Sequence, residues 1–223
     1  MLYEPSTLAS TTALLAAALR EDYGIDPEPI YLQAGISLRP PETPQLRYPI
    51  SKIRKLWELA RIASGDDAIG LKTGGHAKPA HFYAFGYSWL ASSTLLGAMQ
   101  RLTRYMQLMS TVSVVVSLTE TPDSYALSAT FPDPSKAPPK EGIDSGMTAL
   151  RAPISFNAKV GVMQFDKETL RELLPLGAPD VAKVTDRIAE QYIDSSNATA
   201  IGPPYCRYND RAHWSSLSTL CGT

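Results

Sequence analysis

The chain has 223 residues, with 21 Lys and Arg against 22 Asp and Glu and a formal net charge of −1. Its length suits one large domain or two small ones, and 44% hydrophobic with 19% charged residues is a globular composition, which excludes a disordered or fibrous chain. The even charge balance argues against a self-contained nucleic-acid binder, which carries a basic surplus.

Residues 8–21 are rich in Ala and Leu and precede Gly24, which predicts a first helix. Its apolar run stops at Arg20 and has no basic residue before it, so it is not read as a signal peptide. No segment approaches the ~18 apolar residues of a membrane span. Six prolines between Pro27 and Pro49 exclude a long helix there, leaving room for a short one over 30–34 that Gly35 ends. A third helix is expected from a Ser51 cap to about Ala63, with Gly65 as its stop. Ile53, Leu56, Trp57 and Ala60 make its apolar face; Lys52, Lys55 and Arg61 read as a solvated stripe rather than a phosphate site. Ala68–Leu71, Gly74-Gly75 and the aromatic run Phe82, Tyr83, Phe85, Tyr87, Trp89 follow.

Ser93 or Thr94 starts the helix with the clearest period, its stripe being Leu95, Met99, Leu102, Met106 and Met109, with Gln100, Arg101, Arg104 and Gln107 outside it. The period then changes to two. Val112, Val114, Val116 and Leu118, then Tyr125, Leu127, Ala129 and Phe131 across the turn 121–123, predict a hairpin with one buried face. A proline loop over 132–139 leads to a third strand at 160–165. Asp166 caps a short helix with Leu170, Leu173 and Leu174 inward, and Val181, Val184, Ile188 and Tyr192 mark a last amphipathic helix. The pattern stops after Asp194. This order gives α+β: a helical layer on a small, mainly antiparallel sheet, with residues 195–223 as a disordered tail.

Chemistry is sparse. His76 and His81 lack helical zinc spacing, and Cys206, His213 and Cys221 are too widely spaced for a zinc site. Both cysteines fall near the end of the chain, which fits a reducing cytoplasm rather than a stapled secreted fold. Residues 70–75 lack the P-loop spacing, no G-x-S-x-G elbow occurs, and Asp66-Asp67 reads as a helix cap. No metal, cofactor or catalytic group is expected. The candidate site is Phe82, Tyr83, Phe85, Tyr87 and Trp89 with Met99 and Met106. These residues either line an apolar ligand pocket or bridge the helical layer to the sheet as core.

Gly65-Asp66-Asp67, Gly70-Leu71, Gly86-Tyr87, Ser92-Ser93-Thr94-Leu95, Ala98 and Arg104-Tyr105, in this order and spacing, resemble the N-terminal effector-binding domain of AraC/XylS-type bacterial transcription regulators of the "arabinose-binding" branch. The resemblance spans residues 8–194. It implies a non-catalytic cytoplasmic sensor of a small apolar or amino-acid-like effector. It also implies assembly as a homodimer or as a mixed dimer with a full-length regulator. A further likeness, to heme-based gas sensors, makes His81 a ligand candidate, but the Tyr-x-Ser-x-Arg motif is missing and no heme is expected.

Two departures from the family pattern carry expectations of their own. A helix and strand expected before the late strand are missing, since 147–150 runs almost directly into 151–153, so domain 1–194 is expected to be internally shortened. Residues 195–223 are too few for two helix-turn-helix motifs. The chain is thus expected to lack its own DNA-binding module and to make no nucleic-acid or membrane contact. The alternative is a stand-alone small-molecule binding or carrier protein.

Overall fold

Two apolar clusters organise the chain, and a short strand pair joins them. The computed structural model describes residues 4–111, 114–131, 137–149 and 161–199. Strand β1 (Ser6–Leu8) leads through a 3-10 turn (Ala9–Thr11) into α1 (Thr12–Glu21), then α2 (Glu28–Ala34), β2 (Arg47–Pro49), α3 (Ile50–Ser64) and α4 (Ile69–Gly75). Leu15, Leu19, Ile30, Tyr31, Ile53, Leu56, Ala60 and Ile69 are the buried centre of this first cluster. Gly35 and Gly65 close α2 and α3 with φ of +71° and +64°, the left-handed geometry that the sequence places there.

Three expectations change in this half, while the basic stripe stays at the surface as expected. The first helix begins later than residue 8 because Leu8 belongs to β1, which pairs antiparallel with β2 and sets Leu8 opposite Arg47. Ser51 does not cap α3 with its side chain; instead its N–H is bonded by Glu4 Oε1 at 2.9 Å, a contact made possible by the β1–β2 pairing. The lysine and arginine stripe is largely engaged, with Lys52 Nζ donating to the Gly35 carbonyl at 2.9 Å and Arg61 pairing with Asp67 at 2.8 Å. Asp66 does not cap α4, whose N-cap is Ala68 with no side-chain bond; its Oδ1 accepts from the Ala68 N–H at 2.8 Å in the turn that precedes the helix.

The second half starts with a 3-10 turn (Pro79–Phe82) and α5 (Tyr83–Leu90), then α6 (Leu95–Met109), capped by Thr94 Oγ1 accepting from the Gly97 N–H at 3.1 Å. Strands β3 (Val115–Glu120), β4 (Ser124–Thr130) and β5 (Gly161–Asp166) form one antiparallel sheet in the order β3-β4-β5. The register aligns Leu118, Leu127 and Met163 across it. This row, with Val116, Tyr125 and Phe165, packs on Met99, Leu102, Tyr105 and Leu108 of α6, the buried face that the alternation predicts. Helix α7 (Lys140–Ala149) lies between β4 and β5 in sequence and packs on α4; the sequence reading does not include it. Helix α8 (Lys167–Arg171) follows β5, capped by Asp166 as expected at 2.7 Å from Thr169 N, and α9 (Pro179–Thr199) ends the described chain. The architecture is α+β.

Two faces differ from the expected ones. Leu170 is fully buried but Leu173 is 82% exposed, because α8 stops at Arg171 and the chain forms a bridge from Leu173 to Thr94 that turns the side chain outward. Helix α9 buries Ala182 and Ala189, whereas Val181, Val184 and Ile188 are exposed. The helix lies against α5 through its small residues, with the Ala178 N–H on the Ala91 carbonyl at 2.9 Å. It also continues past Asp194 to Thr199. The expected tail from residue 200, with Cys206, His213 and Cys221, and most of the segment expected to be shortened lie outside the described residues. No helix among the described residues is long and apolar enough to cross a membrane.

Two glycines mark backbone approaches that no side chain tolerates. A Cβ at Gly86 would stand 2.0 Å from the Pro79 carbonyl oxygen, and one at Gly70 would stand 2.2 Å from that of Glu141. We expect Gly86→Ala to cost about 2–4 kcal/mol in urea unfolding. Gly75→Ala meets nothing within 4 Å and should change stability by less than about 1 kcal/mol.

Burial pushes the phenols of Tyr31, Tyr23 and Tyr105 well above the ordinary tyrosine range, with the Asp66 hydrogen bond adding to the shift at Tyr23 and the Asp186 charge at Tyr105. The folded chain therefore holds these protons more tightly than the unfolded one. Their contribution is intact below about pH 10 and is lost as pH rises beyond it. Urea midpoints should fall from pH 9 to pH 11. Tyr31→Phe, which gives up the hydrogen bond to the Thr12 carbonyl, should start about 1 kcal/mol lower at neutral pH but fall less steeply.

Candidate functional site

The aromatic run is positioned by a sharp reversal. The Pro79–Phe82 turn delivers Tyr83 with φ of +55°, a left-handed value that costs a bulky residue about 1–3 kcal/mol and persists only where its surroundings enforce it. Two contacts hold it: the Tyr83 hydroxyl accepts from Gln45 Nε2 at 3.1 Å, and its ring meets that of Tyr192 edge-on at 5.7 Å. From there α5 projects Phe85 into the second cluster, where its ring contacts Phe82 at 6.5 Å and Trp89 and Tyr105 at 6.4 Å.

Six of the seven candidate residues come together. Phe85 and Met99 are buried in the cluster, and Phe82, Tyr83, Trp89 and Met106 pack against it partly buried. Tyr87 does not join them; it is 48% exposed, on a part of α5 turned away from the sheet. The six residues therefore bridge helices and sheet, with four of them reaching the edge of the core. One polar atom stands out. Trp89 Nε1 is fully buried and has no hydrogen-bond partner among the described residues, an arrangement that costs about 1–3 kcal/mol unless an acceptor reaches it.

A polar frame surrounds this cluster. Arg101 donates to the Asp186 carboxylate through Nε at 3.2 Å and Nη2 at 3.0 Å, and to Ser92 Oγ at 3.3 Å. The buried Ser88 hydroxyl also donates to Asp186. Tyr105 donates to Glu190 Oε1 at 3.1 Å, and Arg104 pairs with the same carboxylate at 2.8 Å. Thus α5, α6 and α9 are tied by charge-assisted bonds around the aromatic rings. Arg101 and Arg104 are read from sequence only as outside the apolar stripe. The signal that could have found the partner of Arg101 is Asp186 itself, set between Ala182 and Ala189 on the small-residue face of α9.

His76 and His81, the histidines among the described residues, bond to neighbouring elements. His76 Nε2 lies 2.8 Å from Asp22 and its Nδ1 3.6 Å from Glu21, joining α4 to α1. His81 Nδ1 accepts from the Lys78 N–H at 3.2 Å, and burial, with nearby Lys78, pushes its pKa down. No group of three or more His, Cys, Asp or Glu that could hold a metal ion occurs among the described residues. The chemistry that the cluster leaves unmatched is one buried indole N–H without an acceptor among the described residues.

Comparison with known proteins supplies the family. The crystal structure of the transcriptional regulator CdpR from Pseudomonas aeruginosa is similar to this chain, with a TM-score of 0.51 and 12% identity. The likeness covers 77% of this chain and 64% of that one, so this chain spans less than two thirds of CdpR. At that identity it speaks for the fold. No curated protein matches the chain. The family described as the arabinose-binding domain of AraC transcription regulators, N-terminal, matches residues 24–141, from the loop before α2 through α3–α6 and the β3–β4 hairpin to the start of α7. Over this half of its length, the chain belongs to that family.

Proposed function

We propose that the chain senses a small apolar or amino-acid-like effector as the ligand-binding part of an AraC-type regulator. The family match over residues 24–141 carries this reading. The effector sits against Trp89, Phe82 and Met106 at the edge of the second cluster and offers an acceptor to the Trp89 N–H. It acts without catalysis. Binding there bears on α5, and through the Ser88–Asp186–Arg101 bonds on α6 and α9. An effector that prefers one arrangement of these helices shifts the population toward it, as regulation requires. The regulator acts in the bacterial cytoplasm as a homodimer or as a mixed dimer with a full-length relative, and the shifted arrangement changes promoter occupancy.

Native mass spectrometry of the purified chain should show a co-purified small molecule, and thermal-shift screening of fatty acids and amino acids should find a stabilising class. A ligand at a hundred times its Kd adds about 2.7 kcal/mol. Trp89→Phe keeps the ring and removes the donor, so affinity should fall up to about tenfold, while Tyr87→Ala should leave it unchanged. An empty protein that no compound stabilises would overturn the reading.

A further inference from the structure

The charged groups around the aromatic cluster are engaged with one another. Arg101 holds the Asp186 carboxylate with two bonds, and Arg104 holds that of Glu190 at 2.8 Å. Ser88 and Tyr105 donate to the same two carboxylates. Arg47 gives its donors to Ser6, to the Leu108 and Met109 carbonyls and to the Tyr192 hydroxyl. His81, whose ring meets that of Phe82, uses Nδ1 to accept from the Lys78 N–H, and burial favours its uncharged form. The Lys78 side chain stands in water, where a cation gains little from a partner. Two arginines on two carboxylates leave the frame of α5, α6 and α9 electrically even.

A ligand seated beside Trp89 therefore meets one unmatched group, an N–H donor without an acceptor among the described residues. A neutral carbonyl, ester, amide or ring nitrogen answers that donor in full. An ionised carboxylate is not answered by it. Taking such a group out of water costs more than one hydrogen bond returns, unless a cation and further donors also meet it. Here the arginines are already matched, and a third carboxylate would leave the frame with a net negative charge. We propose that the site takes its ligand in the uncharged form, as an apolar molecule whose acceptor is a neutral carbonyl or its equivalent. Fatty acids then bind as the protonated acid, and amino-acid-like compounds bind only as uncharged derivatives. The inference rests on the sensing reading and adds to it the charge state of the effector.

The affinity of the full chain for three matched compounds at pH 5.5 and pH 7.5 tests it: 4-phenylbutanoic acid, its methyl ester, and butylbenzene, which has no acceptor. A carboxylic acid of ordinary pKa loses its neutral form about a hundredfold over this interval, so the affinity for the acid should fall about a hundredfold. The ester should bind equally at both pH values, and it reports any change in the protein itself. Trp89→Phe should weaken the ester about tenfold and leave butylbenzene unchanged. An acid that binds equally at both pH values, or more tightly than the ester at pH 7.5, overturns the proposal. So does butylbenzene that binds the wild type as tightly as the ester. Both results leave the sensing reading in place, since a ligand has bound. If none of the three binds, the proposal falls, and the sensing reading is decided by its own broader screen.

Discussion

The guanidinium of Arg47 is the joint on which both halves of the molecule depend. It leaves β2 and donates to Ser6 Oγ and the Ser6 carbonyl at 2.9 Å, to the carbonyls of Leu108 at 2.8 Å and Met109 at 3.4 Å, and to the Tyr192 hydroxyl at 3.2 Å. The last carbonyls of a helix have no partner within it, and the C-terminal end of its dipole favours a cation. One side chain thus meets the end of α6, the start of the chain and the last helix together. Because β1 is fixed there, Leu8 enters the second cluster, while Ile50, just beyond β2, enters the first. Arginine suits this position because its planar fork presents several donors at fixed angles, which an ammonium group does not.

From this joint the order of the candidate site follows. Tyr192, held by Arg47, presents its ring to Tyr83, the residue with the left-handed backbone. Gln45, two residues before Arg47, supplies the other contact to Tyr83. The start of α5 is therefore set from β2 and α9 together, and the direction in which α5 carries Phe85 and Trp89 depends on both. Gly86 completes the arrangement, since only the absence of a Cβ lets α5 pass so close to the Pro79 carbonyl. A positive φ at a tyrosine persists only where its surroundings enforce it, and here Gln45 and Tyr192 do so.

Much of this was legible in the sequence, and the rest was hidden for definite reasons. The α6 stripe, the β3–β4 alternation, the caps at Thr94 and Asp166 and the stops at Gly35 and Gly65 are local codes, each written within a few residues. The aromatic run and the Met stripe were grouped by residue type, and six of those seven residues converge on the second cluster. Strand β1 was not legible, since three residues carry no period and their partner lies some forty positions away. Arg47 and the Arg101–Asp186 pair were hidden because a charge on an element looks solvent-facing until its distant partner is known. Tyr87 was grouped with its neighbours by composition, although one helical position separates a buried ring from an exposed one.

Helix α9 shows most clearly where a rule of patterning gives way. An amphipathic period is read with its large apolar residues turned inward, because that buries the most surface. Here the face turned to the neighbouring helices is Ala182 and Ala189 with Asp186 between them. The carboxylate is tolerated inside because Arg101 and Ser88 satisfy it on two sides, which avoids the penalty of an unpaired buried charge. Close packing of small residues and one saturated ion pair together hold the helix, so its aliphatic face is not needed for the fold. Retaining Val181, Val184 and Ile188 in water lowers solubility and adds nothing to the stability of the single chain.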